Sequence, residues 1–154
     1  MKICCITPAY PGKHDSSHYA FVKQLVDAIA NMGKECHVVA PYNILHYKKL
    51  SSRRDSYSIG SGRVIVYRPY YYSFSKIIGF KWINIITGKR ALQKAMNQLP
   101  HDIDVVYGHF WSSAYKGYKY ARERALPLFV ATGESDIRRM IARSEERRVG
   151  KECR

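Results

Sequence analysis

The chain has 154 residues, 26 Lys and Arg against 12 Asp and Glu, a formal charge of +14, and 46% hydrophobic residues. That length suits one domain of roughly 100–200 residues, and the apolar content excludes a disordered, collagen-like or disulfide-stapled chain. No stretch approaches the roughly 18–20 consecutive apolar residues of a membrane span. The apolar run at 3–6 stops at Thr7 and Pro8, too short for a secretory core, so a cytoplasmic setting is expected.

In chain order, residues 2–7 read as a buried strand, stopped by Pro8. Residues 8–12 form a loop punctuated by Pro11 and Gly12. Phe21, Val22, Leu25, Val26, Ile29 and Met32 then recur at helical spacing, with Ser16 or Ser17 to cap the start and Gly33 to close the end. Residues 36–40 are a second strand, and a strand–helix–strand unit this short predicts parallel pairing. Residues 42–62 read as a long, mobile, basic loop with one helical turn. Residues 64–67 are a strand, followed by Pro69 and three tyrosines. Residues 77–86 suggest a surface-lying helix, and 89–99 a second one with Leu92, Ala95, Met96 and Leu99 on one side. Residues 105–108 and 128–131 are strands flanking a helix at 115–124, and Ser135 or Asp136 can cap a last helix. The alternation argues an α/β, Rossmann-like doubly wound parallel sheet.

Cys4, Cys5, Cys36 and Cys153 spell no C-x-x-C pair, so neither a zinc site nor a redox motif is indicated. Adjacent cysteines in a strand face opposite ways, and these read as buried thiols. Residues 143–154 have one aliphatic residue, Val149, and match the translation of a common sequencing-adapter oligonucleotide, so 1–142 is taken as the domain and 143–154 as a non-native tail. The tail's five basic and three acidic residues carry only two net charges, and its removal leaves +12.

In doubly wound sheets ligands sit beyond the carboxyl ends of the strands. The segments placed there are 8–17, 41–47, 108–113 and 132–136. The first carries neither G-x-G-x-x-G nor a Walker lysine, which disfavours standard dinucleotide binding and P-loop hydrolysis. His109, between Gly108 and the aromatics Phe110 and Trp111, suits hydrogen bonding to a sugar or base catalysis. Glu134, after Gly133, suits hydroxyl binding or acid–base work. His14 and His18 lack further metal ligands at readable spacing, so no metal is expected. Lys76, Phe80, Lys81 and Trp82 interleave cations with apolar and aromatic residues, a pattern that suits an anionic membrane surface.

The first 41 residues resemble the start of a family 4 retaining glycosyltransferase of the two-domain GT-B fold. The features are the strand at 2–7, the Pro8-x-x-Pro11-Gly12 loop, the helix with Phe21-Val22-Lys23-Gln24-Leu25, Gly33, and the strand at 36–41. The resemblance continues through 105–109, 115–124 and 126–130 and covers nearly everything up to Ala142. It implies an N-terminal, acceptor-side domain of an enzyme that moves a sugar from a nucleotide-sugar donor to a glycan or lipid-linked acceptor. No cofactor is implied beyond that donor, which a second Rossmann-like domain mainly holds, so the fragment alone is expected to be inactive. Pro11, Gly12, His109, Trp111, Gly133 and Glu134 become substrate-binding candidates, with His109 and Glu134 the candidates for catalysis. Gly133-Glu134 stands where the family often has His-Gly, whereas Ser135-Asp136 matches. The alternatives are a basic Rossmann-like module that binds nucleic acid or an acidic partner, and a single-domain flavodoxin-like protein without a phosphate loop.

Overall fold

Five apolar runs pair side by side to make the centre of the molecule. The computed structural model describes residues 1–12, 17, 19–46, 52–72 and 81–132. Strands β1 (Lys2–Ile6), β2 (Glu35–Val39), β5 (Gly62–Tyr67), β7 (Val105–His109) and β8 (Leu128–Ala131) are mutually parallel. Strand β4 (Arg54–Ile59) joins antiparallel at one edge, giving the order β4-β5-β2-β1-β7-β8. A small parallel pair, β3 (Tyr42–Asn43) with β6 (Tyr70–Tyr71), extends beyond the carboxyl ends of β2 and β5. The α/β, Rossmann-like fold expected from the alternation is the fold observed.

Helix α1 (Ala20–Asn31) covers one face of the sheet, where Val22, Val26 and Ala30 pack with Cys5, Cys36, Val38, Val64 and Val66. Helices α2 (Lys81–Met96) and α3 (Trp111–Glu123) cover the other, where Leu92, Met96, Tyr120 and Ala121 pack with Cys4, Ile6, Val39 and Val106. Burying each such aliphatic side chain contributes about 1.5–3 kcal/mol. Cys4 and Cys5 do point into opposite layers, and burial pushes the Cys4 thiol up to about 12. Glycine lets α3 come close to the sheet. A Cβ on Gly108 would lie 2.4 Å from the Ala114 Cα.

Four expectations need correction. The segment read as a mobile loop with one helical turn at 42–62 does hold such a turn, of 3-10 helix at Ile44–His46, but also contains β3 and the six-residue strand β4. The Gly60-Ser61 turn, with Gly60 at φ 54°, joins β4 to β5 as a two-residue hairpin. Of the two helices read at 77–86 and 89–99, residues 77–80 lie outside the described residues, and the rest is one helix, Lys81–Met96, which Gly88 does not interrupt. Helix α1 starts at Ala20 rather than near Ser17, whose contribution is its carbonyl, accepting from the Ala20 N–H at 3.2 Å. The residue before the helix is Tyr19, in the left-handed region at φ 61°, with no side-chain cap bond. Finally, Phe21, Leu25 and Met32 of the apolar stripe stay exposed, because the buried line of α1 runs through Val22, Val26 and Ala30. Gly33 closes α1 as expected, at φ 75° with its N–H on the Ala30 carbonyl. Among the described residues no helix is long and apolar enough to cross a membrane. Ser16, Ser135, Asp136, Cys153 and the tail at 143–154 lie outside the described residues.

Two outcomes follow for stability. Gly108→Ala is expected to cost about 1–3 kcal/mol in urea unfolding, since the added methyl must displace helix backbone. His37 is 1% exposed, and burial holds its pKa below the usual 6.5 against the opposing pull of Glu35. The unfolded chain therefore takes up the proton more readily. Stability is full above about pH 6.5 and is lost as pH falls through the lower folded value. Thermal unfolding between pH 7 and pH 5 should show a falling midpoint, and His37→Gln should flatten the fall.

Candidate functional site

The loop after β1 is held from two sides by residues of the β4–β5 hairpin. Tyr10 is buried, and its hydroxyl meets that of Tyr57 at 2.6 Å; the Tyr57 hydroxyl in turn donates to Asp27 of α1 at 2.6 Å. Burial raises the pKa of both phenols, so both hydroxyls stay protonated and able to donate. Asp27 also pairs with Lys23 one helical turn earlier. On the other side, Arg68 follows β5 and is 3% exposed. Its Nη2 donates to the Pro11 carbonyl at 2.8 Å, and its Nη1 pairs with Asp55 of β4 and reaches the Ser52 carbonyl at 3.4 Å. A buried charge survives only when paired and hydrogen-bonded in this way.

On the adjacent strand, β7 ends in His109 and α3 begins at Trp111. The residue between them, Phe110, sits at φ 70°, ψ 151°. That region is essentially reserved for glycine and costs about 1–3 kcal/mol. Three hydrogen bonds hold it there. The Phe110 N–H donates to the Ala131 carbonyl at 2.8 Å, and its carbonyl accepts from Ser113 and Ala114 N–H groups, each at 3.1 Å. The strain turns the Phe110 ring edge-on to His109 at 4.5 Å. Phe21 of α1 packs against His109 at 5.2 Å and against Phe110 at 6.3 Å, with Tyr19 behind them. The Tyr107 hydroxyl meets His109 Nδ1 at 3.0 Å. Burial lowers the His109 pKa, so the imidazole is neutral near pH 7 and suited to hydrogen-bond a hydroxyl or accept its proton.

The structure thus places His109, Trp111, Pro11 and Gly12 at the carboxyl ends of neighbouring strands β7 and β1. Trp111 is 45% exposed, as an apolar stacking surface requires, whereas Pro11 is buried and offers its carbonyl to Arg68 rather than to a ligand. Gly133 and Glu134 lie outside the described residues, as do His14, His18, Lys76 and Phe80. Lys81 and Trp82 form the start of α2. Sequence reasoning missed Arg68, Tyr57 and Phe21 as parts of this site, and the backbone conformation of Phe110. The available signal for Arg68 was a single cation closing the apolar run 64–67 directly before Pro69. Nothing in the composition of Gly-His-Phe-Trp announces a positive φ at its phenylalanine.

Replacing Arg68 by Met should cost about 3 kcal/mol of stability in chemical denaturation, because it leaves Asp55 and the Pro11 carbonyl without their donor. Arg68→Lys should not restore it, since one ammonium cannot span both acceptors.

No family model matches the chain, and no curated protein matches it.

Proposed function

We propose that the chain is the acceptor-side half of a retaining GT-B glycosyltransferase, similar to family 4. The observation that carries this reading is the neutral His109, set by a strained turn among aromatic rings at the carboxyl end of β7 beside the β1 loop. A sugar acceptor needs a group that orients a hydroxyl and a flat apolar surface for its ring. His109 supplies the first, and the exposed Trp111 face supplies the second. The donor's phosphates approach the Gly12 loop, ahead of the N-terminus of α1. A sheet without G-x-G-x-x-G fits a domain that leaves most of the nucleotide to a second domain. The intact enzyme works on the cytoplasmic side of a membrane, a reading supported by the cations interleaved with aromatics in the sequence at 76–82.

The test is a transfer assay on the gene product expressed from its native locus, with a panel of nucleotide sugars and lipid-linked acceptors. Transfer is expected, and His109→Asn should lower kcat/KM for the acceptor by about a hundredfold without changing the donor's KM. The 154-residue chain alone should transfer nothing. Retention of RNA that is lost steeply with salt, with no nucleotide sugar consumed, would instead establish the basic binding module.

A further inference from the structure

Helices α2 and α3 cover the same face of the sheet and share one core cluster, where Leu92 and Met96 of one join Tyr120 and Ala121 of the other. Their outer sides are alike in chemistry. On α3, Trp111, Tyr115, Tyr118 and Arg122 follow one another at helical spacing, opposite the buried line of Ser113, Gly117 and Ala121. Tyr115 is 75% exposed and Tyr118 52%, so the row is uncovered. On α2, Ile86, Arg90 and Lys94 recur every four residues on the exposed side.

The two faces of the sheet differ in charge. Helix α2 contains no Asp or Glu. The acid of α3, Glu123, pairs with Lys119 at 3.5 Å. Lys89, Arg90, Lys94 and Arg122 make no ion pair among the described residues. Helix α1, on the other face, carries one Lys and one Asp, paired with each other. Single apolar side chains on a surface need no explanation, but a row of aromatics on one line beside unpaired cations marks an interaction surface. Tyr and Trp rings, apolar in body and polar at the tip, settle in the headgroup layer of a bilayer. Each Lys or Arg near an anionic leaflet strengthens binding roughly fivefold. A single nucleic-acid strand is bound in a groove that tracks its backbone. Here the aromatics stand on the outer side of a helix, which suits a planar partner.

We infer that the outer face of α2 and α3 docks on an anionic lipid surface, with Tyr115 and Tyr118 in the headgroup layer and Arg90, Lys94 and Arg122 on lipid phosphates. The inference rests on the membrane setting of the proposed function and adds the folded surface that meets the bilayer. Trp111 ends the aromatic row two residues from His109, so the bilayer and the candidate acceptor site adjoin.

The experiment uses the 154-residue chain with Cys153→Ser, since Cys4, Cys5 and Cys36 are buried and escape labelling. An environment-sensitive nitrobenzoxadiazole dye is attached through Tyr115→Cys, or through Gln24→Cys on the exposed side of α1. Vesicles of phosphatidylcholine doped with phosphatidylglycerol should shift the emission at 115 to the blue and leave that at 24 unchanged. Phosphatidylcholine alone should shift neither. In the unlabelled chain, Arg90→Gln with Lys94→Gln changes only exposed side chains and should weaken sedimentation with the doped vesicles at least about tenfold. Tyr115→Ser with Tyr118→Ser should weaken it severalfold at unchanged charge. Doped vesicles left unbound overturn the inference, as does a dye at 24 that shifts as far as the one at 115, or either double variant binding as tightly as the parent. A shift at 115 with single-stranded RNA and none with vesicles also overturns it and assigns the face to nucleic acid. Binding is read without nucleotide sugar, so its failure leaves transfer to soluble acceptors standing, and failed transfer leaves the lipid-binding face standing.

Discussion

The buried guanidinium of Arg68 is the interaction on which the carboxyl rim of the sheet depends. It ties the end of β5 to the loop after β1, to β4 and to the segment that leads into β4. A charge removed from water is tolerable only if its acceptors are fixed. The constraint therefore runs outward: the hairpin must hold Asp55, and the first loop must present the Pro11 carbonyl. One cation thereby orders three chain segments remote in sequence. The Tyr10–Tyr57–Asp27 chain repeats the arrangement two residues further along β4, joining the same loop to the same hairpin and to α1.

This explains what the sequence made legible. The inner parallel strands β1, β2 and β5 are short, nearly continuous apolar runs, because both their faces are covered, whereas β8 at the sheet edge leaves Phe129 exposed. The runs at 2–7, 36–40, 64–67, 105–108 and 128–131 therefore stood out, each within two residues of its strand, and so did the pairing of the first two. Strand β4 did not, because an edge strand alternates. Arg54, Ser56 and Ser58 face solvent, while Asp55, Tyr57 and Ile59 turn inward. Its polar half resembles a loop by composition, yet Gly60-Ser61 marked its turn. Missing β4 meant missing the scaffold of the first loop, because Asp55 and Tyr57 both lie on it.

The site at β7 was legible in its chemistry but not in its geometry. A histidine among aromatics at a strand end pointed to ligand binding, and His109 does lie at the carboxyl rim. The aromatic wall, however, draws Phe21 from α1, a residue that helical periodicity had counted in the apolar stripe. Periodicity identifies an apolar stripe about one turn wide. It does not say which margin of the stripe meets the sheet and which meets a neighbouring loop.

The backbone at Phe110 bears on how this chain changes over time. Glycine populates that region freely, so a single substitution there relieves the strain and leaves the hydrogen bonds around it available. Natural sequences generally have such stabilising steps within reach, and they forgo them where activity depends on the costly state. Descendants under selection for stability alone should drift to glycine at 110 and lose the ring beside His109. Those under selection for the site should keep an aromatic residue and accept a less stable fold.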